Sequence, residues 1–482
     1  MRNINRDALA RFAAMLGPKG YTEDQSDIAP WVVDWRGIFS GDAAAMLSPA
    51  TLQETVDVVR LAAETGIAVV PQGGNTGMCG GATPLPGGQS LILSTRRMNR
   101  IRSVDAGAGL VVAEAGVILS NLHDAVAAEA MRFPLTLGAK GSATVGGLCS
   151  TNAGGTQVLR FGTMRKLVLG VEAVLPDGSV HDGLIALKKD TRGYDLTQLL
   201  VGAEGTLGII TAASLRLVPA VIDRAAAWFG VASPQEALAL LRFMEARSGA
   251  AVESFELMPR DSLDLVLHHI PGTRAPLESR PPWNVLIEYV TSHMESDAKE
   301  ALTTHAFAAM EAGLVSDAVI ASNEAQIEAF WRLRDSISEA ERASGPAMQH
   351  DISVAVEDMP AFMISAAAEV ERAFPGTSAS AFGHLGDGNV HFHVRAPHGV
   401  EASNWRAGEG KQISSMVYDL VTAAGGSISA EHGIGQMKRA ELGRLSSPAR
   451  IATLRAIKAG LDPKGIMNPG KLVPLASETP AA

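Results

Sequence analysis

The fold is decided by the stretch Ile67-Ala68-Val69-Val70-Pro71-Gln72-Gly73-Gly74-Asn75-Thr76-Gly77. Its first four residues are a short apolar run, which predicts a buried strand. The preceding segment carries an apolar stripe and predicts a helix that opens at a capping Ser48 and closes at Gly66. A helix, a strand and a glycine-rich loop in this order form an α/β unit with free backbone amides at the carboxyl end of the strand. Ligands commonly bind there, so we expect a ligand-binding loop at 71–77.

Two further glycine-dense segments follow, at 138–155 and 202–208. The chain contains neither the G-x-G-x-x-G pattern of Rossmann dinucleotide sites nor the G-x-x-x-x-G-K-[ST] pattern of P-loops. Three loops of exposed amide donors nevertheless suit a pyrophosphate and an extended cofactor. On glycine content alone, ordinary turn chemistry is an equal alternative.

Length and composition set the broad class. A chain of 482 residues with 46% hydrophobic residues should form about three units of ordinary domain size, and a disordered chain is excluded. The net charge of −10 argues against nucleic acid and anionic membranes as partners. No apolar run is long enough to predict a transmembrane helix. Only Cys79 and Cys149 are present, which indicates a reducing compartment: the cytoplasm, or the mitochondrion if the source is eukaryotic.

Two segments near the C-terminal end concentrate histidines: Gly383-His384-Leu385-Gly386-Asp387-Gly388-Asn389-Val390-His391-Phe392-His393-Val394 and Ser429-Ala430-Glu431-His432-Gly433-Ile434-Gly435. In the first, apolar residues alternate with histidines after the turn, which predicts a strand with His391 and His393 on one face. His384 can fold back across the turn beside His391. Two imidazoles and the Glu431 carboxylate would suit a divalent ion with an open coordination position. The alternative is that the histidines only satisfy buried hydrogen bonds.

The pattern of predicted elements changes at about residue 221, where long helices begin to alternate with isolated strands. This pattern predicts a separate α+β unit. One of its predicted helices runs from Asn323 to Ser344 and carries Arg334, with Ser338 one turn further along the same face. Arg332 should point elsewhere, because residues two positions apart do not share a helix face.

The order of these motifs, together with Arg160-Phe161-Gly162, resembles the FAD-binding domain of the vanillyl-alcohol oxidase/p-cresol methylhydroxylase (PCMH) superfamily. The histidine segments and Asn468-Pro469-Gly470-Lys471 are similar to the D-2-hydroxyacid dehydrogenase branch, which includes D-lactate and D-2-hydroxyglutarate dehydrogenases and the catalytic glycolate oxidase subunit. The resemblance runs from about Trp35 to Pro474. It implies an α+β fold with a two-subdomain PCMH-type FAD-binding domain at 1–220. A cap domain with an antiparallel sheet would follow at 221–430, and a C-terminal segment at 431–482 would return to the flavin.

The resemblance implies FAD as the cofactor, held without a covalent bond because the first loop contains no histidine. The residues it assigns to the FAD site are Pro71, Gly73, Gly74, Asn75, Thr76, Gly77, Gly138, Ser142, Thr144, Gly146, Gly147, Asn152, Gly154, Gly155, Gly205, Ile210 and Asn468.

The resemblance also assigns the chemistry. A divalent ion, zinc or manganese, would be held by His384, His391 and Glu431 and would lower the pKa of the substrate hydroxyl. His432 would take the hydroxyl proton as general base, or alternatively orient the metal ligands. Arg334 would clamp the substrate carboxylate, with Ser338 beside it.

Two positions depart from the hydroxyglutarate-type pattern. Gln349 stands where those relatives tend to carry lysine, and His393 stands where they tend to carry asparagine. We assign both to the substrate site, and the departures leave the far end of the substrate open, because a buried second carboxylate would need a compensating cation.

The resemblance therefore implies oxidation of a small D-2-hydroxy acid, of the D-lactate or D-2-hydroxyglutarate type, to the 2-oxo acid by hydride transfer to flavin N5. Electrons would pass on to an electron-transfer flavoprotein, a quinone or a cytochrome, and a homodimer is compatible with the sequence. Three alternatives stay open. They are a non-redox flavoprotein of the alkylglycerone-phosphate synthase type, a metal-dependent hydrolase, and a non-catalytic electron-transfer subunit.

Overall fold

The computed structural model describes residues 5–87, 90–185, 187, 189–294 and 296–478. The chain separates into two compact units. Unit 1 contains the residues up to Gly155, Phe161–Ala220 and the residues from Glu431 onward, and unit 2 contains Thr156–Arg160 and Val221–Ala430. The chain forms helices, one sheet that contains parallel strand pairs and further sheets that are antiparallel. This mixture confirms the α+β fold.

The first sheet of unit 1 has four strands in the order β1-β2-β4-β3. They are Tyr21–Thr22 (β1), Ala45–Leu47 (β2), Ala68–Gln72 (β3) and Ser90–Ser94 (β4). Strand β4 pairs in parallel with both β2 and β3, so the predicted glycine-rich loop leaves the carboxyl end of a buried parallel strand. Leu91 and Leu93 on β4 are fully buried and pack in one core with Val69.

The helix before β3 spans Leu52–Thr65 and ends at Gly66, which has a left-handed φ of 68°. The capping residue is Thr51 and not Ser48. Thr51 is extended, and its hydroxyl accepts the amide N–H of Glu54 at 3.1 Å. The Glu54 carboxylate in turn accepts the amide N–H of Ala50 at 2.6 Å. The N-terminus of this helix is therefore capped three positions further along the chain than predicted.

A second, antiparallel sheet in unit 1 has five strands in the order β5-β6-β10-β8-β9. A two-stranded ribbon pairs β7 with β11. These strands are Ile101–Asp105 (β5), Leu110–Glu114 (β6), Met131–Arg132 (β7), Val168–Val174 (β8), Val180–Asp182 (β9), Ile209–Arg216 (β10) and Val218–Pro219 (β11). The other helices of unit 1 are Arg6–Gly20, Gln25–Ile28, Leu119–Ala127, Val145–Thr151, Met164–Leu167, Leu196–Leu200, Arg439–Leu445 and Pro448–Leu461, with 3₁₀ turns at Ala29–Trp31 and Ala476–Glu478. The short helix Val158–Phe161 crosses the sequence boundary of the two units.

Unit 2 is built on a seven-stranded antiparallel sheet in the order β15-β12-β14-β13-β17-β18-β16. The strands are Asp223–Val231 (β12), Val252–Pro259 (β13), Trp283–Thr291 (β14), Asp317–Ile320 (β15), Ala347–Ser353 (β16), Ser378–His384 (β17) and Asn389–Arg395 (β18). The helices of unit 2 are Pro234–Ser248, Arg260–His269, Ala298–Glu311, Glu324–Asp335, Ile337–Ser344, Met359–Ala373, Ala402–Ala407 and Glu409–Ala423.

The helix predicted from Asn323 to Ser344 is two helices. The first ends at Asp335 and the second begins at Ile337, with Ser336 between them. Arg334 and Ser338 therefore lie on consecutive helices and not on one continuous face. The backbone of Ser336 has a ψ of −5°, which is the flattened conformation of a turn and accounts for the interruption.

The hairpin of β17 and β18 confirms the predicted alternation. Val390, Phe392 and Val394 are all fully buried on one face of β18, and His391 and His393 lie on the other. His391 pairs across the sheet with Phe382 on one side and Asp351 on the other. The face of β18 that carries Val390, Phe392 and Val394 is thus apolar, and its opposite face carries His391 and His393. In the described part of the chain, no helix has the length and apolar character needed to cross a membrane.

Candidate active site

The three predicted glycine loops of unit 1 line one cavity of about 670 Å³. This volume is in the range of sites for sizeable organic ligands. Fourteen of the residues assigned to the cofactor from the sequence are on its wall: Pro71, Gly73, Gly74, Asn75, Thr76, Gly77, Gly138, Ser142, Thr144, Gly146, Gly147, Gly154, Gly205 and Ile210.

The glycines at positions 73 and 74 of the first loop have a steric cause. A Cβ atom at Gly73 would overlap the Thr144 hydroxyl, and one at Gly74 would overlap the carbonyl oxygen of Ser142. The first and second glycine loops therefore approach each other so closely that only backbone fits between them. Asn75 completes the first loop with a left-handed φ of 53°, and its side chain donates to the carbonyl of Val33 at 2.9 Å.

The cavity fits a large cofactor that accepts and donates hydrogen bonds. The Thr144 hydroxyl lies on its wall, is buried, and has no hydrogen-bond partner among the described residues. A buried polar atom without a partner is costly, which favours a ligand group that pairs with it. Gly73, Gly74 and Gly77 add a wall of backbone, the kind of surface that binds phosphate oxygens.

Three residues assigned to the cofactor do not line the cavity: Asn152, Gly155 and Asn468. Asn152 has a left-handed φ of 51° and accepts the amide of Arg165 at 2.8 Å. A side chain at Gly155 would overlap the carbonyl of Thr136. Asn468 donates to the carbonyl oxygens of Gly81 and Glu204 at 2.9 and 2.7 Å. In the structure these residues hold the loops, and their direct role at a cofactor stays a prediction.

Glu431 and His432 lie on the wall of the same cavity. The Glu-His pair is thus placed beside the glycine loops within unit 1, although more than 200 residues separate it from the last of them in the sequence. The wall also includes residues outside the predicted loops that the sequence did not indicate as site residues, among them Trp35, Cys79 and Thr95. Cys149 is not on the wall. Burial raises the pKa of its thiol to about 12, as expected for an inert packed cysteine.

Unit 2 brings His384 and His391 together, as predicted. Their ring centroids are 5.4 Å apart, and their Nε2 atoms lie 3.3 and 3.4 Å from the same Nη2 atom of Arg334. A guanidinium has only donors, so both Nε2 atoms face it with their lone pairs. Arg334 is thereby shown to lie beside the two histidines, while Arg332 points elsewhere and donates to the Pro271 carbonyl at 2.9 Å.

Glu256, a residue that sequence reasoning missed, orders this cluster. One of its oxygens accepts from His384 Nδ1 at 2.6 Å, and the other accepts from Arg334 Nε at 2.8 Å. Burial alone would raise the pKa of Glu256, but Arg334 and His384 outweigh it and hold the pKa well below its usual range. The only sequence signal was a carboxylate flanked by Phe255 and Leu257 in a buried strand.

The cluster suits a metal ion of the imidazole-binding kind. The Nδ1 contact with Glu256 fixes the tautomer of His384 and leaves Nε2 as a ligand atom. Burial, followed by the charge of Arg334, lowers the pKa of His391 well below its ordinary value, so its ring is neutral. Neutral imidazole is the form that binds metal. Glu431, the third predicted ligand, belongs to unit 1, and the complete ligand set stays a prediction.

The residues assigned to the far end of the substrate lie next to one another in the sheet. Gln349 on β16 pairs across the ladder with His393 on β18. The Nδ1 atom of His393 contacts the carboxylate of Glu341, which has no exposed surface. Ser338 lies half-buried on the helix Ile337–Ser344 that also carries Glu341.

Two family models match the chain. One, described as "FAD binding domain", covers residues 43–183, and the other, described as "FAD linked oxidases, C-terminal domain", covers residues 222–472. The first confirms FAD, the cofactor that the resemblance implied.

Among similar proteins, mitochondrial D-2-hydroxyglutarate dehydrogenase of Arabidopsis thaliana is 37% identical over 98% of this chain and 82% of its own length. The enzyme of the same name from Bos taurus is 38% identical over 98% of this chain and 84% of its own length. A solved structure of p-cresol methylhydroxylase with substrate bound has a TM-score of 0.75 at 14% identity and covers 96% of both chains, which shows a shared fold. With the C-terminal model spanning half of the sequence and relatives of this identity spanning nearly all of it, the chain belongs to the FAD-linked oxidase family.

Proposed function

We propose that this protein is an FAD-dependent dehydrogenase that oxidises a D-2-hydroxy acid to the corresponding 2-oxo acid. The observation that carries the proposal is the cavity of unit 1, where Glu431 and His432 lie on the same wall as the three glycine loops. The relatives of 37 and 38% identity are dehydrogenases of a D-2-hydroxy acid by name. When bound, FAD supplies a two-electron acceptor for the hydride released at C2 of the substrate.

The protein's own residues would handle charge and protons. Arg334, held by Glu256, presents a rigid fork that matches a carboxylate. His384 and His391, with Glu431, would hold a zinc or manganese ion that acidifies the substrate hydroxyl. His432 would accept the hydroxyl proton, since it is the titratable side chain that follows the ligand Glu431 on the cavity wall.

The substrate is of the D-lactate or D-2-hydroxyglutarate type. The names of the two relatives favour hydroxyglutarate. Gln349 and His393 supply amide and imidazole groups for the far end of the substrate, in place of a fixed cation. FAD would be held non-covalently, because the first loop carries no histidine. Cys79 on the cavity wall is the nucleophile to check if the flavin is not released on denaturation.

Electrons would leave to an electron-transfer flavoprotein, a quinone or a cytochrome, and a homodimer remains compatible with the chain. The two relatives cited are named as mitochondrial, which supports the mitochondrion for a eukaryotic source. The cytoplasm for any other source stays a prediction from the low cysteine content.

The proposal is tested by anaerobic titration of the purified yellow protein. We expect D-lactate or D-2-hydroxyglutarate to bleach the flavin absorbance and the L-enantiomers to leave it unchanged. Release of the flavin into the supernatant after acid precipitation would support non-covalent binding. A flavin that no 2-hydroxy acid bleaches would contradict the proposal, and a colourless protein that cannot be reconstituted with FAD would favour the metal-dependent hydrolase.

A further inference from the structure

Three distant segments of the chain meet at one acidic residue in unit 1. Glu204 lies in the third glycine loop, and its Oε1 and Oε2 atoms accept the backbone amides of Ile434 and Gly435, each at 2.7 Å. Its own carbonyl accepts from the Asn468 side chain at 2.7 Å. The glycine loop, the turn after His432 and the C-terminal Asn-Pro-Gly-Lys segment are therefore joined through a single residue.

The Glu204 carboxylate lies close to hydrogen-bond donors and positive charges, but it is strongly desolvated. Glu204 is 8% exposed, and burial raises the pKa of its carboxyl. The two amides, followed by the charges of Lys438 and Lys471, act in the opposite direction. Both lysines are themselves buried, so positive charge has been placed inside the protein next to this group. A buried acid that accepts two amides and faces two cations is costly to assemble, which argues that its position matters.

The turn that Glu204 holds can adopt only a narrow set of conformations. Gly433 and Gly435 have left-handed φ values of 75° and 52°. A Cβ at Gly433 would lie 2.8 Å from Glu204 Oε1, and one at Gly435 would overlap the carbonyl oxygen of Cys79. The turn is thus enclosed by Glu204 of the third glycine loop on one side and by Cys79, two residues after the first loop, on the other. It begins one residue after His432.

We propose that Glu204 is the positioning residue for His432. It acts through the Gly433–Gly435 turn: by accepting two successive amides it fixes the direction in which the chain leaves His432, and with it the direction of the imidazole in the cavity. The inference rests on the proposed function in that His432 is taken as the proton acceptor. Glu204 itself exchanges no proton with the substrate.

The test compares two variants of the full-length protein loaded with FAD. In Glu204→Gln one oxygen is replaced by an NH₂ group, which faces a backbone N–H and cannot accept from it. The matched control is Asp462→Asn. Asp462 is also a buried carboxylate that accepts two successive amides, those of Ile466 and Met467 at 3.1 and 2.9 Å, and it is also paired with a lysine.

The first readout is stopped-flow reduction of the flavin at saturating D-2-hydroxy acid. We expect Glu204→Gln to lower the reduction rate on the order of 100-fold, as for a displaced catalytic group, with the apparent dissociation constants of FAD and substrate within about threefold of the parent. Asp462→Asn should lose comparable thermal stability and keep its rate within about twofold. An unchanged rate in Glu204→Gln would overturn the proposal. So would a rate loss accompanied by much weaker FAD binding, because Glu204 would then act on the cofactor.

The second readout does not depend on turnover. We expect amide hydrogen exchange of the peptide spanning 429–436 to accelerate at least tenfold in Glu204→Gln and to stay at the parental rate in Asp462→Asn. Equal protection in both variants would overturn the proposal. If no 2-hydroxy acid reduces the parent, the proposed function fails, whereas the exchange experiment still decides whether Glu204 holds the turn.

Discussion

Arg334 and Glu256 form a buried ion pair in which Arg334 Nε donates to Glu256 at 2.8 Å, and the carboxylate is only 1% exposed. The same carboxylate holds His384, so one residue orients both a cationic clamp and an imidazole. Removing its charge should disturb both at once.

We therefore expect Glu256→Gln to lower kcat/KM of hydroxy acid oxidation at least about 100-fold while FAD content is retained, because a buried charge pair loses one partner. The matched control is Glu253→Gln on the same strand, where a buried carboxylate pairs with Arg160 at 3.1 Å. Steady-state kinetics with an artificial acceptor measure the difference. Equal losses in both variants would mean that Glu256 contributes only to stability.

Replacing Arg334 by lysine tests the carboxylate clamp. Lysine keeps the charge but loses the planar fork, so we expect KM for the hydroxy acid to rise at least about 30-fold. Arg332→Lys, two residues earlier and bonded to the Pro271 carbonyl, should stay within about twofold of the parent. A parental KM in Arg334→Lys would place the substrate carboxylate elsewhere.

His432→Gln tests the general base. The variant should remain yellow and bind the substrate, whereas flavin reduction should fall by about 10²–10⁴-fold. His123→Gln is the control in the same unit, since His123 contacts the Leu135 carbonyl at 3.0 Å and does not line the cavity. Rapid reduction in His432→Gln would reassign the proton acceptor.

Chelation tests the metal. We expect prolonged dialysis against a chelator to abolish activity but not the flavin spectrum, and zinc or manganese to restore it. His391→Ala should purify with less than about a tenth of the parental metal content, measured by elemental analysis. A fully active protein free of metal would contradict this ligand set.

Glu288 should make the stability of the protein depend on pH. Burial raises the pKa of this carboxyl from 4.5 to about 7, with Arg224 opposing and Glu253 adding to the effect. Between pH 4.5 and about 7, Glu288 is more often protonated in the folded chain than in the unfolded chain. Stability should therefore fall as the pH rises through this window, by at most about 1.4 kcal/mol per pH unit, and then level off.

Urea denaturation at pH 5, 6, 7 and 8 measures this slope. Glu288→Gln stays neutral and should lose most of the pH dependence, while Glu324→Gln, an exposed partner of the same Arg224, should keep it. Parallel slopes for Glu288→Gln and the parent would assign the pH dependence to other groups.

Much of the site was predictable because its residues lie in short, dense motifs. The glycine loops are local features, and so is the alternation that places His391 and His393 on one face of a strand. Each depends on backbone geometry within a few residues, which a sequence displays directly.

The carboxylates that support the site, Glu256 and Glu204, could not be predicted, because their partners are distant in the sequence. Glu256 and His384 are 128 positions apart, and Glu204 and Ile434 are 230 apart, so only the folded sheet and loops bring them together. The break at Ser336 was also missed, because neither glycine nor proline marks it. Residues that hold a site in place leave a weaker trace in sequence than those that form it.

The connection between β17 and β18 determines which face of the sheet each side chain of β18 occupies. Four residues, Leu385 to Gly388, determine which side chains of the following strand point toward Arg334. Inserting a single residue there would exchange the two faces, sending valine and phenylalanine to the reaction side and imidazoles into the hydrophobic interior. The length of this connection is therefore part of the chemistry of the site.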